Sequence, residues 1–293
     1  MDGLSNKSGS ATRDVTGVRV KGCYAATTTD CGGKLSREHA LSRGVLKILS
    51  RGRSLLEVAN QPWQSEAWVR LATSIDSLAV KNLCKRHNEL LSPLDTMAKR
   101  FVQSLADCTD HVANEQSGCI HRWFDGRLLE LWMLKALCGS FTARHTPDAT
   151  KPPQWCAPKD WLDILFHGAE MPPGTGLYRR IKSRPLIEAA ESAIYIRPLT
   201  VRSFAADVNG VAKPGCQHLD IVIGMEIVFF SFEFCFFMAR VGAPGLVFRP
   251  SLAFYGEPAD NPRALIALSW DGKYPTEDSF CRTKVMPYSR TTY

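Results

Sequence analysis

Cys23, Cys31, Cys84 and His87 constrain this chain more than any other feature. Four soft ligands from two distant segments can share one tetrahedral ion only if the backbone between them folds back on itself. Cys84-x-x-His87 is a tight pair that fits one knuckle of a zinc site. Cys23 and Cys31, with seven residues between them, would supply the other half of a Cys3His set. Gly32-Gly33 lets the backbone turn tightly beside it. The alternative is that these are unrelated buried side chains. A second set, Glu38, His39 and Asn88, is interleaved with the first and consists of two hard oxygen ligands and a base.

Ten cysteines in a chain whose first residues, Met1 to Gly17, are polar and contain no apolar segment argue for thiols kept reduced in the cytosol and against a disulfide framework. Cys108, Cys119, Cys138, Cys156, Cys216, Cys235 and Cys281 have no short paired spacing and read as small buried hydrophobes. The formal charge of +7 permits a polyanionic partner without requiring one. With 45% hydrophobic and 22% charged residues the composition is globular, so disorder is expected only at the ends. Leu219 to Ala239 is the most apolar run, but Asp220, Glu226 and Glu233 interrupt it, so it reads as core strands and a cytoplasmic, membrane-free protein is expected.

The pattern along the chain predicts an α+β protein in four parts. A disordered leader covers 1–17, a zinc and ligand module 18–106, a helical connecting region 107–187, and an antiparallel β-rich region 188–293. In the module, Lys34 to Arg37 reads as an extended stretch delivering Glu38-His39, and a helix follows over Leu41 to Leu49. Pro62 to Val80 fits neither period well. A long amphipathic helix starts at Lys85, with Pro93 marking an early turn or break. A second helix is expected within Ser117 to Thr142, with Ile120, Trp123, Leu128, Leu131 and Trp132 in its buried stripe. Arg127, Glu130 and Lys135 would form its solvated or bridging face. A short helix is expected near Trp161 to Phe166, and from Ala189 onward strands alternate with Gly and Pro turns.

Arg37-Glu38-His39 followed by Leu83-Cys84-Lys85-Arg86-His87-Asn88 resembles the HNH, or ββα-metal, endonuclease family over about residues 18–105. In that family a strand ends in an acidic residue and His, and a helix opens on zinc ligands followed by Asn. His87 stands where the family has its last zinc cysteine, and Asn82 is the nearest match to its backbone-bracing Asn. The resemblance implies a treble-clef-like ββα fold held by structural Zn2+ on Cys23, Cys31, Cys84 and His87. It also implies a catalytic Mg2+ or Mn2+ on Glu38 and Asn88, with His39 as general base in phosphodiester hydrolysis.

That chemistry is consistent with the residue types, because imidazole deprotonates water near neutral pH and a hard cation takes up phosphate charge. Arg37, Arg43, Lys47, Lys85 and Arg86 could track phosphates, which favours DNA and leaves RNA open. The C-terminal region would then supply specificity, regulation, or a protein partner or oligomer contact. The competing expectation is a zinc-binding nucleic-acid-binding or adaptor protein without catalysis.

Overall fold

The computed structural model describes residues 16–58, 71–144, 157–180, 195–203, 219–229, 232–238, 246–255 and 264–270. Its first unit is a hairpin with a large insertion. Strand β1 (Leu35–His39) pairs antiparallel with β4 (Ala79–Cys84), Leu35 opposite Cys84 and His39 opposite Ala79. A bulge between Ser36 and Glu38 shifts the register, which turns the end of β1 relative to its start. Between the two strands lie α1 (Arg43–Leu49), the small hairpin β2 (Leu55–Val58) and β3 (Leu71–Ser74), and a 3-10 turn over Ile75–Leu78.

β4 runs straight into α2 (Lys85–Ala113). Leu91, Leu94, Ala98, Phe101, Val102 and Leu105 recur at three- and four-residue spacing and are buried on one face of this helix. Pro93 does not break it. Pro93 and Glu89, whose carbonyl loses its helical donor, both lie on the exposed face, where water can satisfy that oxygen.

The segment 117–142 divides differently from its sequence pattern. Ile120 and Trp123 lie on a strand, β5 (Ile120–Asp125), and the helix α3 (Gly126–Arg144) begins only after it. Asp125 marks the boundary: its Oδ1 accepts from the backbone N–H groups of Arg127 at 2.8 Å and Leu128 at 3.3 Å, the geometry of an N-cap. What holds 120–125 as a strand is remote, because β5 pairs in parallel with β12 (Ala264–Ser269), Ile120 opposite Ala264 and Asp125 opposite Ser269.

α3 is buried along most of its circumference, with Leu129, Trp132, Met133, Leu134, Leu137 and Cys138 all inside. It contacts α2, α4 (Lys159–His167), β4, β5, β12 and strands of the larger sheet. Of the solvated or bridging face expected for Arg127, Glu130 and Lys135, Arg127 is exposed, while Glu130 and Lys135 are interior residues that bridge elements. Charges on the enclosed part of the helix must be paired.

The remaining strands form two sheets. Five are ordered β10-β6-β9-β8-β7: β6 (Gly176–Arg180), β7 (Tyr195–Ser203), β8 (Leu219–Phe229), β9 (Phe232–Phe237) and β10 (Leu246–Phe248), all paired antiparallel. β11 (Leu252–Tyr255) joins β12 antiparallel, completing a three-stranded sheet with β5. The core-strand reading of Leu219 to Ala239 holds for β8 and β9, and among the described residues no helix is long and apolar enough to cross a membrane. Phe101 of α2 packs edge-on against Phe124 of β5 and against Phe234 of β9, at 5.2 and 5.8 Å between centroids. The long helix thus ties the first unit to both later sheets through one continuous core.

Cys108, Cys138 and Cys235 are buried as expected and Cys119 is exposed. Cys156, Cys216 and Cys281, the first part of the ambiguous Pro62 to Val80 stretch, and the Gly and Pro residues at 209–215 where turns are expected lie outside the described residues.

Candidate metal centre and adjoining cleft

The four soft ligands converge. Their ligating atoms all lie within 4.8 Å of one another, and all four residues are buried. His87 Nδ1 stands 3.2 Å from Cys84 Sγ, 3.5 Å from Cys23 Sγ and 3.8 Å from Cys31 Sγ. Zn–S bonds of about 2.3 Å and Zn–N bonds of about 2.0–2.1 Å in a tetrahedron set such edges near 3.6 Å, so the spacing suits one ion.

Local backbone structure explains the convergence. Cys23 and Cys31 flank a short 3-10 turn, Ala26–Thr28, while Cys84 closes β4 and His87 sits in the first turn of α2. The Gly32-Gly33 link runs close beneath α2, where the Arg86 N–H donates to the Gly32 carbonyl at 3.1 Å. Gly33 has φ +71°, and a Cβ there would come within 3.1 Å of the Lys85 side chain, so glycine suits both the conformation and the approach.

The surroundings suit thiolates and a fixed imidazole. The Cys84 backbone N–H points at Cys23 Sγ (3.4 Å) and the Gly32 N–H at Cys84 Sγ (3.5 Å). Thr28 Oγ1 donates its one proton to the Ala25 carbonyl at 2.8 Å and lies 3.0 Å from His87 Nε2. The threonine oxygen must then accept from Nε2–H, leaving the Nδ1 lone pair aimed at the three sulfurs. Phe166 of α4 covers the ring at 4.7 Å between centroids. Burial, followed in smaller part by the neighbouring thiols, pushes the Cys23 thiol up, and burial does the same to Cys31. A bound cation reverses that preference by taking the thiolate form. The set could therefore hold a structural metal ion such as zinc.

Replacing Thr28 by Val would keep the shape and remove the acceptor that fixes the His87 tautomer. The expected result is a loss of about 10–100-fold in metal affinity, read by competition against a chromogenic chelator. Unchanged affinity would remove Thr28 from the site's second layer of support.

Glu38, His39 and Asn88 line one cleft of about 480 Å³ beside this cluster, with Arg37 and Arg43 on its wall. His39 closes β1, and its Nε2 lies 2.9 Å from the Ile75 carbonyl. A carbonyl only accepts, so Nε2 carries the proton and Nδ1 is the basic nitrogen; Nδ1 makes no hydrogen bond among the described residues. Burial, aided by Arg43 and Arg37 and opposed by the Ile75 bond and Asp76, holds His39 below its usual 6.5, so the ring is neutral at pH 7.

Asn88 is oriented by similar logic. Ser36 Oγ gives its proton to the Leu83 carbonyl at 3.0 Å, so it accepts from Asn88 Nδ2–H at 3.2 Å. The Asn88 amide oxygen is left as the available hard ligand. Glu38 is more constrained than its sequence context implied. It is buried and pairs with Lys135, and burial raises its pKa while Lys135 opposes the rise and Asp95 adds to it. Lys135 and Asp95, the groups that sequence reasoning missed here, carry no motif signal of their own.

The basic residues divide. Arg37 Nη2 donates to the Asp76 carbonyl at 2.5 Å, and Arg43 pairs with the Asp76 carboxylate at 3.0 Å, both at the cleft. Lys47 is exposed on α1, Lys85 reaches Glu89 at 3.7 Å, and Arg86 holds Asp30 at 3.0 Å. Asn82 is buried, not at the surface, and its Nδ2 braces α3 by donating to the Gly139 carbonyl at 3.2 Å. Comparison with family models, curated proteins and solved structures gives no match.

Proposed function

We infer that the chain is a metal-dependent endonuclease of the HNH type that hydrolyses phosphodiester bonds in DNA, with RNA as the less favoured substrate. The carrying observation is the cleft, where His39 presents an unprotonated Nδ1 beside the carboxylate of Glu38 and the amide oxygen of Asn88. The Cys3His set would hold structural Zn2+ behind it in a treble-clef-like arrangement, with β1, β4 and α2 as the ββα frame. Glu38 and Asn88 are oxygen donors of the kind Mg2+ or Mn2+ prefers, and such an ion would supply charge to the phosphate and to the leaving oxygen. The chain's own part is to hold the base. Ile75 fixes the tautomer, so Nδ1 can take a proton from water attacking the phosphorus, while Arg37 and Arg43 offer phosphate contacts at the rim. The β-rich C-terminal strands would supply specificity, regulation or a partner surface, and the protein would act in the cytoplasm.

The test is cleavage of supercoiled plasmid with Mg2+ or Mn2+. Chelator-sensitive nicking is expected, and His39→Ala should lower its rate by about 10²–10⁴-fold with DNA binding retained. No cleavage by the wild type, or equal cleavage by the variant, would falsify the assignment. A second reading, a zinc-dependent nucleic-acid-binding or adaptor module without catalysis, draws support from Glu38 and Arg86, which are already engaged by Lys135 and Asp30. Nucleic-acid binding by a wild type that does not cleave, unchanged in Glu38→Gln, His39→Ala and Asn88→Ala, favours it.

A further inference from the structure

A buried cation pairs with two of the acids that line the cleft. Lys135, on α3, is 1% exposed, and its Nζ pairs with Glu38 Oε1 and, at 2.5 Å, with Asp95 Oδ1. One atom in bonding contact with both oxygens puts those oxygens within about 5 Å of each other, close enough to share a cation. The three charges come from β1, α2 and α3, so the tertiary fold assembles them. Asp95 is held further by Ser42 Oγ–H at 2.6 Å, and Ser42 in turn by Trp132 Nε1–H at 2.8 Å. Asp95 follows Asn88 by two helical turns along α2, and both line the cleft with Glu38.

The pairing with Lys135 leaves capacity unused: the contacts engage only Glu38 Oε1 and Asp95 Oδ1, and among the described residues Glu38 Oε2 and Asp95 Oδ2 make no hydrogen bond. The cleft walls carry Glu38, Asp76, Glu89 and Asp95 against Arg37 and Arg43. Acids outnumber bases even with Lys135 counted, so the charge of the lining favours a cation.

We propose that Asp95 is a third oxygen ligand of the divalent cation held by Glu38 and Asn88, and that Lys135 is a tethered counter-ion competing with that cation for both carboxylates. This rests on reading the cleft as a cation site. An ammonium neutralises one of two carboxylates and keeps them apart from each other without a metal. A divalent ion, approaching from the cleft through the second oxygens, must work against that fixed positive charge or move it aside. Lys135 thereby sets the cation concentration at which the site fills.

The experiment is a Mn2+ titration of the full chain, with free Mn2+ followed by electron paramagnetic resonance and zinc content measured on each sample. Lys135→Met removes the competitor and adds no ligand, so at least tenfold tighter Mn2+ binding than wild type is expected. Lys135→Arg keeps the charge and should bind like wild type. Asp95→Asn, close in size to the native side chain, should bind at least tenfold more weakly. Equal affinity in Lys135→Met and wild type, or no binding by either, overturns the proposal. If Lys135→Met fails to fold, Asp95→Asn decides, because unchanged affinity there also overturns it. Cleavage plays no part in this readout. A chain that ranks Lys135→Met above wild type above Asp95→Asn but cuts no DNA overturns the nuclease reading and leaves the cation site standing. A chain that cuts DNA with Mn2+ affinity indifferent to both substitutions overturns only the roles of Lys135 and Asp95.

Discussion

Native mass spectrometry is expected to find one zinc ion per chain, and Cys84→Ser is expected to lose it together with most of the stability of the first unit. The size of the effect follows from what the cluster joins. Cys23 and Cys31 belong to a segment with little regular structure, closed on itself by the Val18–Asp30 bridge and joined to the rest by a few backbone bonds, such as Tyr24 N–H to the Asn82 carbonyl, and by the Arg86–Asp30 pair. Without an ion, three buried thiols gather where burial keeps those of Cys23 and Cys31 from ionising. Structural zinc contributes about 10–16 kcal/mol in small zinc domains. Loss of only about 5 kcal/mol would lower Tm by about 10–20 °C, at about 2–4 °C per kcal/mol for chains of this order of size. Cys108→Ser, at a buried cysteine outside the set, provides the contrast and should retain the ion. Because the thiols must release protons to bind, zinc should also leave as the pH falls. A zinc-free wild type, or a Cys84→Ser protein with its zinc intact, would remove the scaffold and with it the support for the adjoining site.

The soft-ligand set was legible because its signal is local and typed. Cysteines without pairing partners, a histidine three residues after one of them, and two glycines at the turn can be read from the chain alone. The companion residues Glu38, His39 and Asn88 were legible as a pattern, and they do share a cleft. What could not be read was Glu38's environment. Its partners Lys135 and Asp95 are separated from it by 97 and 57 positions in sequence, on helices whose placement depends on the whole core. The same limit explains β5. Ile120 and Trp123 suit a helix stripe as well as a strand until β12, far along the chain, supplies a parallel neighbour. The charges on α3 were left as solvated or bridging for a related reason: the amphipathic rule assumes a helix with one wet face, and only the start of α3, at Arg127 and Leu128, is exposed while Glu130 and Lys135 are buried. Pro93 differs, since its effect was set by which face it occupies, something the period of α2 already contained.

Arg249→Ala is expected to destabilise the protein by about 3 kcal/mol, the lower end of the range for breaking a buried ion pair, because Arg249 itself remains 38% exposed. Glu130 is fully buried on α3 and accepts from Arg249 Nε and Nη2, each at 3.1 Å, and from the Leu177 backbone N–H at 2.9 Å. Removing the arginine leaves that carboxylate without its counter-charge inside the core. The fold is shaped around this contact. Arg249 adopts φ +44°, rare for a side chain of its size, and its guanidinium also lies 5.4 Å from the Trp270 ring centroid. Gly176 sits at φ +126° where a Cβ would collide with the Glu130 carboxylate, so β6 comes close enough for Leu177 to donate. Burial raises Glu130 above its ordinary 4.5, against the pull of Arg249 and Leu177. A carboxyl whose pKa is higher folded than unfolded contributes stability that is full below 4.5 and is lost as pH rises through the folded value. Thermal denaturation should therefore show a Tm drop of about 6–12 °C for Arg249→Ala near neutral pH, shrinking towards pH 4.5 as Glu130 protonates and no longer needs its partner. A shift below about 2 °C at neutral pH, or one that does not vary with pH, would mean that the pair is not what fastens β6 and β10 to α3.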